Sequence, residues 1–153
     1  MTLEKQLQII IDDAAEHNVP PMVIKKAIAP VLRLLAEQLH HLEYYVLQNL
    51  AEDWVLTTIA NPKLQLEKKV IYAFVSVRDA AAFQDSANPD LIATPIPIVQ
   101  LLFRLFSLQQ VDSIIFLEDS QNLNRGIEIE RERLSKLIQQ QIEQLNQTTT
   151  DIA

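Results

Sequence analysis

An α+β fold of the mixed α/β kind, a small three- to four-stranded mixed sheet covered by helices, is predicted by three features of the sequence. Apolar residues recur at spacings of three and four near both ends of the chain. Short β-branched and aromatic runs lie between them. The segments follow the order α-α-β-β-α-β-α, with one glycine and seven prolines as punctuation. The length of 153 residues, with 48% hydrophobic and 22% charged side chains, suits one globular domain over residues 1–146. Residues 147–153 read as a disordered tail.

In Leu3–His17, Leu3, Leu7, Ile10, Ile11, Ala14 and Ala15 form one apolar stripe of an amphipathic helix. Asn18-Val19-Pro20-Pro21 ends it, and the prolines suit the first turn of a second helix, predicted from Pro21 to Leu50. Ala27, Val31, Leu34, Leu35, Leu39, Leu42 and Val46 mark its buried face, and Pro30 either kinks or splits it. Trp54–Ile59 then reads as a strand bounded by the turn signal Asn61-Pro62. Lys69–Val77 is apolar nearly throughout, as a strand covered on both faces would be, and is expected to be the most buried one.

Asp79 is a plausible cap for a short helix ending near Phe83. A polar loop, Asp85–Thr94, leads to Pro95-Ile96-Pro97, expected to open a helix through Leu108. Ser113–Leu117 reads as a third strand, Ser120–Gly126 as a loop, and Ile127 and Ile129 as a brief edge strand. Leu134, Leu137, Ile138, Ile142 and Leu145 define a closing helix. The first two strands are close enough to pair antiparallel; the second and third flank a crossover that allows a parallel pair.

A single glycine and no cysteine exclude whole classes of chemistry. Gly-rich phosphate loops and the Gly-x-Ser-x-Gly nucleophile elbow cannot be written, nor can thiolate sites, Cys-ligated zinc or disulfides. No cofactor is indicated. The net charge of −7 is concentrated in residues 111–153, which carry 8 acidic and 4 basic side chains. That balance, without a basic stripe, argues against nucleic acid or an anionic membrane as partner. No run approaches the ~20 apolar residues of a membrane span. The opening MTLEKQLQIIIDDAAEH reads as helix rather than signal peptide, so a cytoplasmic location is expected.

Glu37-x-x-His40 has the spacing of a di-iron ligand pair but no second copy, so a solvated helix face is the better reading and no metal is expected. His41 makes an ordinary surface pair with Glu37. If the second and third strands are parallel, Arg78-Asp79 and Glu118-Asp119 share the rim at their carboxyl ends, where open α/β sheets bind ligands. Acid–base work at that rim is set against a helix cap, an ion pair and a strand end in water. Tyr44, Tyr45 and Trp54, with the acids Glu52 and Asp53, are candidates for the mouth of a groove that takes an apolar or basic peptide, although a lone tryptophan is more often core.

The segments K-V-I-Y-A-F-V-S-V-R-D-A-A-A-F (69–83), P-I-P-I-V-Q-L-L-F-R-L-F (95–106) and D-S-I-I-F-L-E-D (112–119) resemble small cyanobacterial proteins linked to the carboxysome, of the CcmS type. The element order is similar to that of SseB-type domains. The resemblance implies an assembly factor that binds the C-terminal extension of a carboxysome shell protein. The expected function is therefore a non-enzymatic adaptor or chaperone for a peptide tail, bound at an exposed sheet edge. The alternatives are a structural homodimer joined through the long helix, and a small hydrolase or isomerase built on the Arg78/Asp79/Glu118/Asp119 rim.

Overall fold

Thr2 opens the first helix, its hydroxyl accepting a hydrogen bond from the Lys5 amide at 3.2 Å, and α1 spans Leu3–Asp12 with Leu7 and Ile10 buried. The computed structural model describes residues 1–83, 88–118 and 125–150, the side chains of 147–150 excepted. A 3₁₀ turn, Ala14–His17, follows and ends at Asn18 in the left-handed region. Next come α2 (Pro21–Val23), a π-helical turn (Ile24–Ile28) and α3 (Ala29–Ala36). Pro30 is the second residue of α3. Its ring crowds the carbonyl four residues back, and the wider π turn directly upstream accommodates that crowding.

The helix predicted to reach Leu50 stops at Ala36, and Glu43–Gln48 is a strand, β1. Leu39, Leu42 and Val46 mimic a helical stripe, yet the burial has the two-residue period of a strand. Tyr44 and Val46 enter the main core, whereas Tyr45 and Leu47 join a smaller cluster. Aromatic and β-branched residues in EYYVLQ favour that outcome.

The remaining strands are β2 (Thr57–Asn61), β3 (Leu66–Ala73), β4 (Ile92–Pro97), β5 (Ser113–Leu117) and β6 (Gly126–Glu130). Four form one sheet in the order β2-β3-β5-β6, and β1 pairs with β4 in a second, two-stranded sheet. As expected, β2 and β3 are antiparallel and β3 and β5 parallel, while β6 is antiparallel to β5. The two sheets meet where Tyr45 and Phe74 exchange backbone hydrogen bonds of 2.7 and 2.8 Å.

Several boundaries differ from expectation. Trp54 makes only an isolated bridge to Gln48, ahead of β2. The strand read as Lys69–Val77 is Leu66–Ala73, because Ser76 caps the next helix, α4 (Val77–Ala82), by accepting from the Asp79 amide at 3.1 Å; Asp79 is not the cap. Ile92–Pro97, read as loop and helix start, is β4, and α5 (Ile98–Ser107) begins only after Pro97. The most buried strand is β5 rather than β3, whose first four residues extend past the core beside β2. The closing helix, α6 (Arg131–Thr150), takes in four residues assigned to the tail; 151–153 lie outside the described residues. So do residues 85–87 of the first predicted loop and 120–124 of the second.

Alternation along β3 and β5 divides the core. Ile71, Ala73, Ile114 and Phe116 pack with Leu32, Leu35 and Leu105 of α3 and α5, while Tyr72, Phe74, Ile115 and Leu117 pack with Ala80 of α4 and with Phe83. One amide side chain is buried with them. Gln6 accepts from the Val99 amide at the start of α5 and donates to the Leu42 carbonyl, each at 3.0 Å, so it ties three segments together. The sole glycine, Gly126, has no positive φ. Its role is steric: a Cβ there would lie 2.7 Å from Ile115 Cγ2.

Candidate functional site

A sheet of this kind has edges, and each edge exposes unpaired backbone groups unless the sequence guards it. Strand β6 carries Glu128 and Glu130, and β4 carries Pro95 and Pro97, so both are protected by charge or by missing donors. Strand β2, sequence TTIAN, has neither device. Among the described residues it pairs only with β3, and four of its five residues are exposed. Around it stand the apolar side chains of Leu56, Ile59, Leu64 and Leu66, exposed by 38, 40, 64 and 61%. Natural proteins rarely leave so uncharged and apolar an edge open without a use for it.

A groove of about 760 Å³ begins at Ile59 and Asn61, at the carboxyl end of β2. It passes the start of β3 at Leu66 and Glu67 and reaches Asp112, Glu130 and Glu132 near the start of α6. Lys68, within it, holds Glu128 at 2.5 Å, and the Ser113 hydroxyl donates to the same Glu128 oxygen at 2.6 Å. Burial alone would raise the Glu128 carboxyl, but the Lys68 and Ser113 hydrogen bonds outweigh it and hold it below its usual value. The hydrogen bond to Glu128 raises the Lys68 ammonium in turn. A second depression, about 520 Å³, lies between α1 and α5 and is lined by Ile9, Ile10, His17, Phe103 and Phe106.

The residues selected from sequence as a groove mouth do not form one. Tyr44 is fully buried and Trp54 is 7% exposed, both in the main core. Trp54 lies under the Arg104 guanidinium, 4.4 Å from its ring centroid. Tyr45 is half-buried in the smaller cluster on the opposite side of β1. Glu52 and Asp53 are exposed in the turn after β1, where Glu52 takes φ 67° and Asn49 Oδ1 accepts from the Asp53 amide. The physical reason is the strand: neighbouring residues on β1 point to opposite faces, so Tyr44 and Tyr45 cannot line one wall.

The rim prediction is half assembled. Glu118 stands at the carboxyl end of β5, and Tyr44 Oη donates to its Oε1 at 2.9 Å. His40 Nδ1 and His41 Nε2 lie 3.4 and 3.7 Å from the other oxygen, Oε2. Burial, reinforced by the Glu118 carboxylate accepting its proton, pushes the Tyr44 phenol well above its ordinary value. Arg78 is exposed on α4, and Asp79 belongs to that helix. Asp119 lies outside the described residues. Thus His40 is solvent-exposed, as expected, but it lies after the end of α3 rather than on a helix face, and it approaches Glu118, a contact no local spacing signals.

Among the described residues, no group of three or more His, Asp or Glu is arranged to hold a metal ion. No helix among them is long and apolar enough to cross a membrane. No family model, curated protein or solved structure matches the chain. The unguarded β2 edge was missed in the sequence because edge position depends on strand order. One signal was present: TTIAN is an uncharged run between Asp53 and Lys63.

Proposed function

We propose that the protein is a non-enzymatic adaptor or assembly chaperone that takes an extended peptide tail of a partner as an added strand beside β2. The observation that carries this reading is the β2 edge, which among the described residues has neither charge nor proline and presents exposed Ile59 beside exposed Leu66. An added strand gains backbone hydrogen bonds from the edge, and alternate side chains gain apolar contact from its neighbours. The resemblance to CcmS-type proteins makes the C-terminal extension of a carboxysome shell protein the first partner segment to test. On this reading the protein acts in the cytoplasm, beside carboxysome components.

Isothermal titration of that synthetic tail against the wild type and Ile59→Lys is the experiment. A lysine on the edge keeps the strand soluble but opposes further pairing. The expected result is a loss of about tenfold or more in affinity, with unchanged circular dichroism. Equal affinity in the two proteins would contradict a β2 site, and no binding by the wild type would contradict the partner.

A further inference from the structure

We infer that the segment received at β2 is cationic where it leaves the paired strand, an inference that rests on strand addition at this edge and names the chemistry of its partner. The groove starts where β2 ends, at Ile59 and Asn61, and crosses the sheet past β3 and the start of β5 to Glu130 at the end of β6, so a chain that leaves the β2 edge there and turns across the sheet enters it. Four carboxylates line that path, Glu67, Asp112, Glu130 and Glu132, against two cations, Lys68 and Arg131. Lys68 is already engaged by Glu128. Asp112 is held by the Lys69 amide at 2.8 Å, and Glu132 is shared with Lys136 at 3.1 Å. Glu67 and Glu130 have no ion-pair partner among the described residues, and both are exposed.

An apolar strand ending in lysine or arginine satisfies both halves of this surface. Its apolar positions meet Ile59 and Leu66, and its charge meets Glu67 and Glu130. An acidic or wholly apolar strand would meet only the first half and would face uncompensated carboxylates in the second. Charge complementarity of this type sets register and partner choice, and its effect weakens with salt.

The test uses two short fluorescein-labelled peptides, each an alternating valine–threonine strand, flanked at both ends by lysine in one and by glutamate in the other. Fluorescence anisotropy reads their affinities for the wild type and for a Glu67→Gln, Glu130→Gln double variant. Both substitutions lie at exposed positions, so the fold is retained. The wild type is expected to prefer the lysine peptide by about tenfold at low salt, and the variant by about twofold or less. Equal affinities for the wild type, or a preference that survives in the variant, overturn the inference while strand addition stands. Failure of both peptides to bind overturns strand addition itself, and the inference with it.

Discussion

Tyr44 on β1 and Glu118 at the end of β5 are 74 positions apart in the chain and joined by a hydrogen bond of 2.9 Å. The phenol is wholly buried and the Glu118 side chain is 15% exposed, so each group depends on the other for satisfaction. The bond fixes the start of β1 to the carboxyl end of the parallel pair. Tyr44→Phe should cost about 1–3 kcal/mol, the penalty of leaving a shielded polar group with fewer partners. Phe keeps the edge-on packing against Phe116, whose centroid lies 5.0 Å away. Urea denaturation of Tyr44→Phe, Glu118→Gln and the double variant checks the link. Additive losses would show that the two residues act independently.

Gln6 makes a second long-range tie. Gln6→Leu has similar volume but removes the acceptor of the buried Val99 amide, and Ile98 still donates to the Leu42 carbonyl. The expected loss is about 1–3 kcal/mol, mostly from that one orphaned donor. A thermal melt unchanged from wild type would mean that the amide finds another acceptor.

Gly126→Ala should destabilise by about 1–3 kcal/mol through overpacking against Ile115. Ile115→Ala in the same chain removes the opposing methyl and should make the added cost of the alanine small. Equilibrium unfolding of the four proteins in this cycle measures both. A neutral Gly126→Ala would show that β6 shifts freely on β5.

The fold class and the β2–β3–β5 pairing were legible because they rest on local pattern: apolar runs, turn residues and a crossover of sufficient length. Strand β1 was not, since Leu39, Leu42 and Val46 fit a helical stripe as well as they fit a strand. Long-range pairing decides the matter: the antiparallel ladder of β1 with β4 and the Tyr45–Phe74 backbone exchange. β4 was hidden by its prolines, which read as helix openers but also belong in an edge strand. Of the candidate site, Glu118 was legible as a strand terminus. Its contact with Tyr44 was not, and neither was the unguarded edge, which depends on strand order.

Titration gives a further expectation. The Glu128 carboxyl is depressed in the folded state, so its contribution is present above the unfolded carboxylate range and lost as pH falls through the folded value. Lys68 is raised, so its contribution is present below the ordinary lysine value and lost as pH rises through the folded one. The pair thus supports the fold evenly at neutral pH and fails toward both extremes, by about 1 kcal/mol or less because both side chains are partly in water. Tyr44 is also raised, so its contribution is present below the ordinary phenol value of about 10 and declines above it. Lys68→Met should flatten the acid limb of the stability profile below about pH 5, and Tyr44→Phe the alkaline limb above about pH 10. Chemical denaturation across pH measures both, and limbs of unchanged slope would contradict these assignments.

The central claim is that β2 receives a strand, and amide hydrogen exchange over residues 57–61 tests it most directly. With the lysine-flanked valine–threonine peptide at saturation, the outward-facing amides of β2 should exchange about tenfold or more slowly, because they acquire backbone partners. Residues 126–128 of β6, at the opposite edge and outside the groove, should exchange at the same rate with and without peptide. Unchanged exchange in β2 while the peptide is bound, or protection confined to β6, would contradict the account.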